Sequence, residues 1–187
     1  MTNQNDPLNA FEMLPKIYEI LDSFGVEYSV HKDPEDYPYL AEYDVCIGVP
    51  NPTGGETLYI AVQDWVCGEF IMGFGIWHMH YLGYVFGYEY LVRDMRKILS
   101  GETAILFVCI KNDWKILDSI SAGDSLTEKL DDLGEPYLEK LKELGGVIKT
   151  FWWDTSKNTE YNVRNGENNL WIITQQLLPA ASAAEIK

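Results

Sequence analysis

Between Tyr43 and Tyr81 the apolar runs follow one another so closely that only turn-like connections fit between them. Tyr43–Val49, Glu56–Val62 and Gly68–Phe74 read as strands, and the third leads into the aromatic segment Trp77–Tyr81. Pro50, Pro52 and the Gly54–Gly55 pair separate the first run from the second. A parallel pair needs a crossover of about a dozen residues or more, so connections this short predict antiparallel pairing.

Helical periods stand on either side of these strands. Leu14, Ile17, Tyr18 and Leu21 form an apolar stripe that predicts a helix over about Pro15–Phe24, with Gly25 as its stop. Val26–His31 reads as a short strand, and Asp33–Asp44, interrupted by Pro34 and Pro38, as a loop. Tyr84, Tyr88, Leu91, Val92, Met95 and Leu99 recur at helical spacing, with Arg93, Arg96 and Lys97 towards the carboxyl end. Thr103–Ile110 is a nearly continuous apolar run, expected to be a central strand, and Lys111–Asp113 turns it into a hairpin with Trp114–Ile120. Ser125 and Glu128 have capping-box spacing ahead of Leu126, Leu130 and Leu133. A second helical segment runs to Leu144 and ends at Gly145–Gly146. Val147–Trp153 and Leu170–Thr174 read as late strands around a polar loop, Asp154–Asn169. The expected class is α+β: one domain over residues 1–187, with an antiparallel or mixed sheet, helices packed mainly on one face, and fraying ends at about 1–8 and 179–187.

The formal net charge is -15, and it is unevenly placed. Residues 1–81 hold thirteen acids against two bases, Lys16 and Lys32. A field of this sign repels nucleic-acid phosphates and anionic lipid, and attracts a basic partner. No apolar run approaches the roughly 20 residues needed to cross a bilayer. The opening residues MTNQNDPLN lack the basic and apolar regions of a secretory signal. Cys46, Cys67 and Cys109 are an odd count without metal-ligand spacing, so reduced thiols in a cytoplasmic protein are expected.

Two constellations are candidates for function. In FIMGFGIWHMHY, alternation on a strand puts His78 and His80 on one face, with Trp77, Met79 and Tyr81 opposite. Two imidazoles in that arrangement could share a metal ion if Glu69, Glu89 or His31 supplied a further ligand. The segment superficially resembles the His-X-His of cupins, but lacks their following Glu and later His. The bland reading is a pair of hydrogen-bonded surface histidines, and no cofactor is expected. The second constellation is Asp33–Asp44, which holds five acids and three tyrosines with no lysine or arginine. Asp36, Tyr37, Tyr39, Glu42 and Asp44 are the contacts it would offer a basic protein, since tyrosine supplies contact area and desolvated carboxylates pair with Lys or Arg. The alternative is an ordinary solvated loop. Nucleotide-binding glycine motifs and a nucleophile elbow are missing from the sequence.

Over roughly residues 12–120 the layout resembles small bacterial proteins associated with polymorphic-toxin immunity. The segments that carry the likeness are GEFIMGF leading to WHMHY, the helix ending in RKILSGE, and the hairpin AILFVCIKNDWKI. The resemblance brings no catalytic motif. It implies a non-enzymatic cytoplasmic protein that binds and blocks a toxin domain, and nuclease toxins must themselves be basic to hold nucleic acid. Two other readings stay open: a metal-binding protein or enzyme built on Trp77–His80, and a structural or oligomeric module. In the last case Trp152 and Trp153 could line a homodimer surface.

Overall fold

The computed structural model describes residues 3–32, 44–65, 67–75, 77–131, 133–166 and 171–177. The class is α+β and every strand pairing is antiparallel. The strands form two five-stranded sheets. The chain divides into two compact units, residues 1–100 and 101–187.

The first unit is built on a meander. Strands β1 (Ser29–His31), β2 (Val45–Val49), β3 (Leu58–Val62), β4 (Cys67–Phe74) and β5 (Trp77–Gly83) lie side by side in chain order. Helix α1 (Leu14–Ser23) has Pro15 in its first turn, where a missing N–H is harmless, and buries Leu14, Ile17, Ile20 and Leu21. Helix α2 (Val85–Leu99) buries Leu91, Met95, Ile98 and Leu99, and lies against β4 and β5. Its Tyr88 ring meets Phe70 at 6.0 Å, and Asp94 accepts the Tyr81 hydroxyl at 3.1 Å.

One face of this sheet carries Ile47, Ile60 and Met72 in register, all fully buried. The opposite face holds Cys46, Ala61 and Ile71, with Tyr59 packed against them. Tyr59 pairs with Gly48 on one side and Gly73 on the other. A β-carbon built on Gly73 would sit inside van der Waals contact with the Tyr59 ring, so the ring lies flat over the glycine.

Residues 4–8, where the sequence predicts fraying, are held by main-chain hydrogen bonds. The Leu8 N–H donates to Gly83 O at 2.8 Å, and Leu8 O accepts the Cys67 N–H at 3.0 Å. The carbonyls of Asp6 and Gln4 accept the Val85 and Phe86 N–H groups, each at 3.1 Å. Those are first-turn donors of α2, which Tyr84 caps with no side-chain bond. The tail at 179–187 lies outside the described residues.

The second unit has the strand order β10-β9-β8-β6-β7, comprising β6 (Thr103–Ile110), β7 (Asp113–Ser121), β8 (Gly146–Phe151), β9 (Thr159–Asn165) and β10 (Trp171–Leu177). Helices α3 (Leu126–Asp131) and α4 (Tyr137–Leu144) supply Leu130 and Leu141 to a core with Ala104, Leu106, Val108, Ile110, Ile148 and Val163. Ile105 and Phe107 on the other face of β6 are also buried, which accounts for its unbroken apolar sequence. The expected capping box is present on one side, the Glu128 N–H reaching Ser125 Oγ at 3.5 Å.

β9 corrects the sequence reading, which has a polar loop over Asp154–Asn169. Thr159 and Val163 are buried while Asn162 and Arg164 are exposed, so the strand has period-2 burial. Its polar outward positions hide that alternation, and pairing with β8 and β10 on both sides holds it extended.

Candidate functional site

Of the loop residues singled out from sequence, Asp36, Tyr37, Tyr39 and Glu42 lie outside the described residues, and Asp44 lies within them. Asp44 is exposed and stands immediately before β2. Its Oδ2 accepts the Asp64 N–H at 2.6 Å, which ties the start of β2 to the turn between β3 and β4.

That turn is tightly determined. The Gln63 N–H donates to Glu69 O at 3.2 Å, and the Glu69 N–H returns a bond to Gln63 Oε1 at 2.9 Å. The Gly68 N–H closes on Trp65 O at 2.9 Å, and Cys67 takes a left-handed φ of 60°. Held on this frame, Trp65 leaves 51% of its surface exposed. Because Cys67 pairs with Gly83, the end of β5 lies beside the turn, and there Leu82 is 54% exposed. Asp44 and Asp64 are exposed at the same end of the sheet. Two large apolar side chains among carboxylates make an unusual surface, since scattered exposed apolar residues are ordinary but a charged rim around an aromatic anchor marks many interfaces.

The histidine pair adjoins this region. His78 and His80 share a face of β5 as alternation predicts, their ring centroids 5.4 Å apart and edge to face. Trp77 and Tyr81 are buried on the opposite face, whereas Met79 remains 45% exposed on the edge strand. His80 Nδ1 lies 2.9 Å from Glu69 Oε2. A register shift between Cys67 and Phe70 brings Glu69 to that position. His31 stands in the same cross-strand row as His80, through Cys46, Ala61 and Ile71. Four inter-strand spacings of about 4.8 Å separate the two, so about 19 Å lies between those backbones. His31 therefore cannot complete a site with the pair. Among the described residues no group of three or more His, Cys, Asp or Glu side chains could hold a metal ion.

Two titratable side chains of the first unit have their protonated forms favoured by burial. Burial pushes the Cys46 thiol up to about 11, which keeps it protonated. Burial, and then the Asp94 carboxylate, raise the Tyr81 hydroxyl well above its ordinary range. Both groups stay protonated at neutral pH, and the Tyr81 hydroxyl donates to Asp94. Of the two tryptophans named for an oligomeric surface, Trp153 is buried and Trp152 is half-buried against the second unit's core.

No protein-family model, curated protein or solved structure matches this chain. No described helix is long and apolar enough to cross a membrane.

Trp65, Asp64 and Leu82 escape the sequence reading. Trp65 carries one available signal, a large aromatic between Asp64 and Gly68 where a turn is required. Leu82 carries none, because its exposure follows from β5 being an edge strand.

Proposed function

We propose that this protein is a binding protein without catalysis of its own, acting in the cytoplasm to capture a basic protein in the manner of an immunity protein against a toxin domain. The observation that carries the reading is Trp65, half exposed on a turn pinned by Asp44, with Asp64 and Leu82 at the same sheet end. Charge supports it. Residues 1–100 hold fifteen acids against five bases, and three of those bases, Arg93, Arg96 and Lys97, stand together on α2. An aromatic anchor in a carboxylate surround fits a partner presenting Lys or Arg around an apolar pocket. In sequence, Asp44 closes the acidic and tyrosine-rich stretch Asp33–Tyr43. Free thiols at Cys46, Cys67 and Cys109 accord with a reducing compartment.

The test is affinity capture with the full chain, its Trp65→Ala variant and an Asp44→Asn/Asp64→Asn variant, the captured protein being identified by mass spectrometry. A basic protein retained by the parent, lost with Trp65→Ala and released at about 0.5 M salt supports the reading. Co-expression should then protect cells from that protein's toxicity. Capture indifferent to salt and to all three substitutions would overturn it.

A further inference from the structure

We infer that the second unit carries a binding groove for a small amphipathic carboxylate. A concavity of about 560 Å³ opens on the sheet where β9 and β10 meet the end of α4, between the turn at Lys111–Asn112 and the Gly145–Gly146 pair. Its volume falls within the roughly 300–1,000 Å³ of small-molecule sites. Three independent features converge on it.

The first is charge. The charged side chains among its described lining residues are Lys111 and Arg164, both cationic, in a chain of net charge -15. Among the described side chains of this unit, Lys142, Lys149 and Lys157 form ion pairs, Lys140 stands over the Tyr137 ring, and Lys129 has its own interaction. Lys111 and Arg164 have no ion pair among the described residues. The second feature is apolar surface. Leu144 and Ile172, 40% and 42% exposed, are the large exposed hydrophobic residues described in this unit, and both line the groove. Ile172 pairs directly with Arg164 across β9 and β10, which sets an apolar side chain beside a guanidinium.

The third feature is a fixed frame. Lys111 and Asn112, with φ of 50° and 67°, form the two-residue turn joining Ile110 to Asp113, a geometry that holds the root of Lys111 in place. A β-carbon on Gly146 would lie 2.6 Å from Leu141 Cδ1 and 2.7 Å from Cys109 O, so only glycine lets this end of β8 pack on α4 and β6 without displacement. Two cations recognise the anionic head, and the leucine and isoleucine receive the aliphatic body.

Titration of the isotope-labelled full chain with sodium octanoate, followed by amide resonances, tests this. Octanol has nearly the same body without charge, and acetate the charge without the body. Saturable millimolar binding is expected, with shifts concentrated at Lys111, Gly145, Gly146, Arg164 and Ile172. Octanol and acetate should each bind at least about tenfold more weakly. Lys111→Asn, which tolerates the left-handed backbone, and Arg164→Gln should each weaken octanoate by about tenfold while leaving signal dispersion intact. Octanol matching octanoate, both variants binding like the parent, shifts centred elsewhere, or no saturable binding at millimolar octanoate would each overturn the assignment.

Discussion

Replacing Gly73 by alanine tests whether the Tyr59 ring and the glycine beneath it act as one unit. The added methyl falls on the Cζ, Oη and Cε1 atoms of Tyr59, a cross-strand partner in perfect register. Overpacking of this kind costs about 1–3 kcal/mol when neighbours must shift. If the ring swings away instead, exposing about 100 Å² at about 25 cal/mol per Å² loses about 2.5 kcal/mol. Against either loss, removing a strand glycine returns about 0.5–1 kcal/mol of backbone entropy. Gly73→Ala alone should therefore destabilise the first sheet by about 1–2 kcal/mol. In a Tyr59→Ala background the clash is gone, and the same change should stabilise it by about 0.5–1 kcal/mol. The coupling, about 1.5–3 kcal/mol, stands well above the roughly 0.5 kcal/mol scatter of independent sites. Hydrogen exchange of ladder amides in β3 and β4 is the suitable assay. It reads the opening of this sheet itself, where a chain of two compact units need not unfold in one transition. If Gly73→Ala carries the same penalty in both backgrounds, the ring-over-glycine reasoning is wrong.

Two further outcomes follow from burial. A disulfide reagent such as DTNB should titrate one thiol in the native protein, the exposed Cys67, and all three after unfolding, because Cys46 and Cys109 are buried and the Cys46 thiol is held at about 11. Fast reaction of two or more native thiols would contradict this. Glu56 has its carboxyl raised by burial, so the folded state favours the proton. Its favourable contribution is complete below the ordinary glutamate range and disappears as pH rises through the folded value. Glu56→Gln should thus raise the melting midpoint near neutral pH and leave it unchanged below the ordinary glutamate range. An equal shift at both pH values would refute that cause.

What could be read from the chain is what depends on local periodicity. α1, α2 and the apolar strands β2 to β4 declare themselves through spacing and turn residues, and so does the common face of His78 and His80. The division of strands between two sheets is a property of long-range pairing. No proline-rich or glycine-rich linker marks the boundary at Ser100–Gly101. β9 is hidden in sequence because TEYNVRN places polar residues at the outward positions, and only neighbours on both sides reveal it as a strand. The Glu69–His80 contact depends on an irregular register between β4 and β5, which no spacing rule encodes. Trp65 gives no sign of its exposure in sequence, because an aromatic in a polar turn looks like the end of a strand.

The amino-terminal segment that clasps β5 and the first turn of α2 makes the chain's opening residues a poor place to trim. A version starting at Ala10 would strip the partners from two helix donors and from the Cys67 amide and Gly83 carbonyl, which pair at the sheet end that exposes Trp65 and Leu82. Bare main-chain groups next to greasy patches invite copies to stick together. A shortened protein of that sort would report clumping where the intact one reports recognition, so any mapping by deletion should begin from the other terminus.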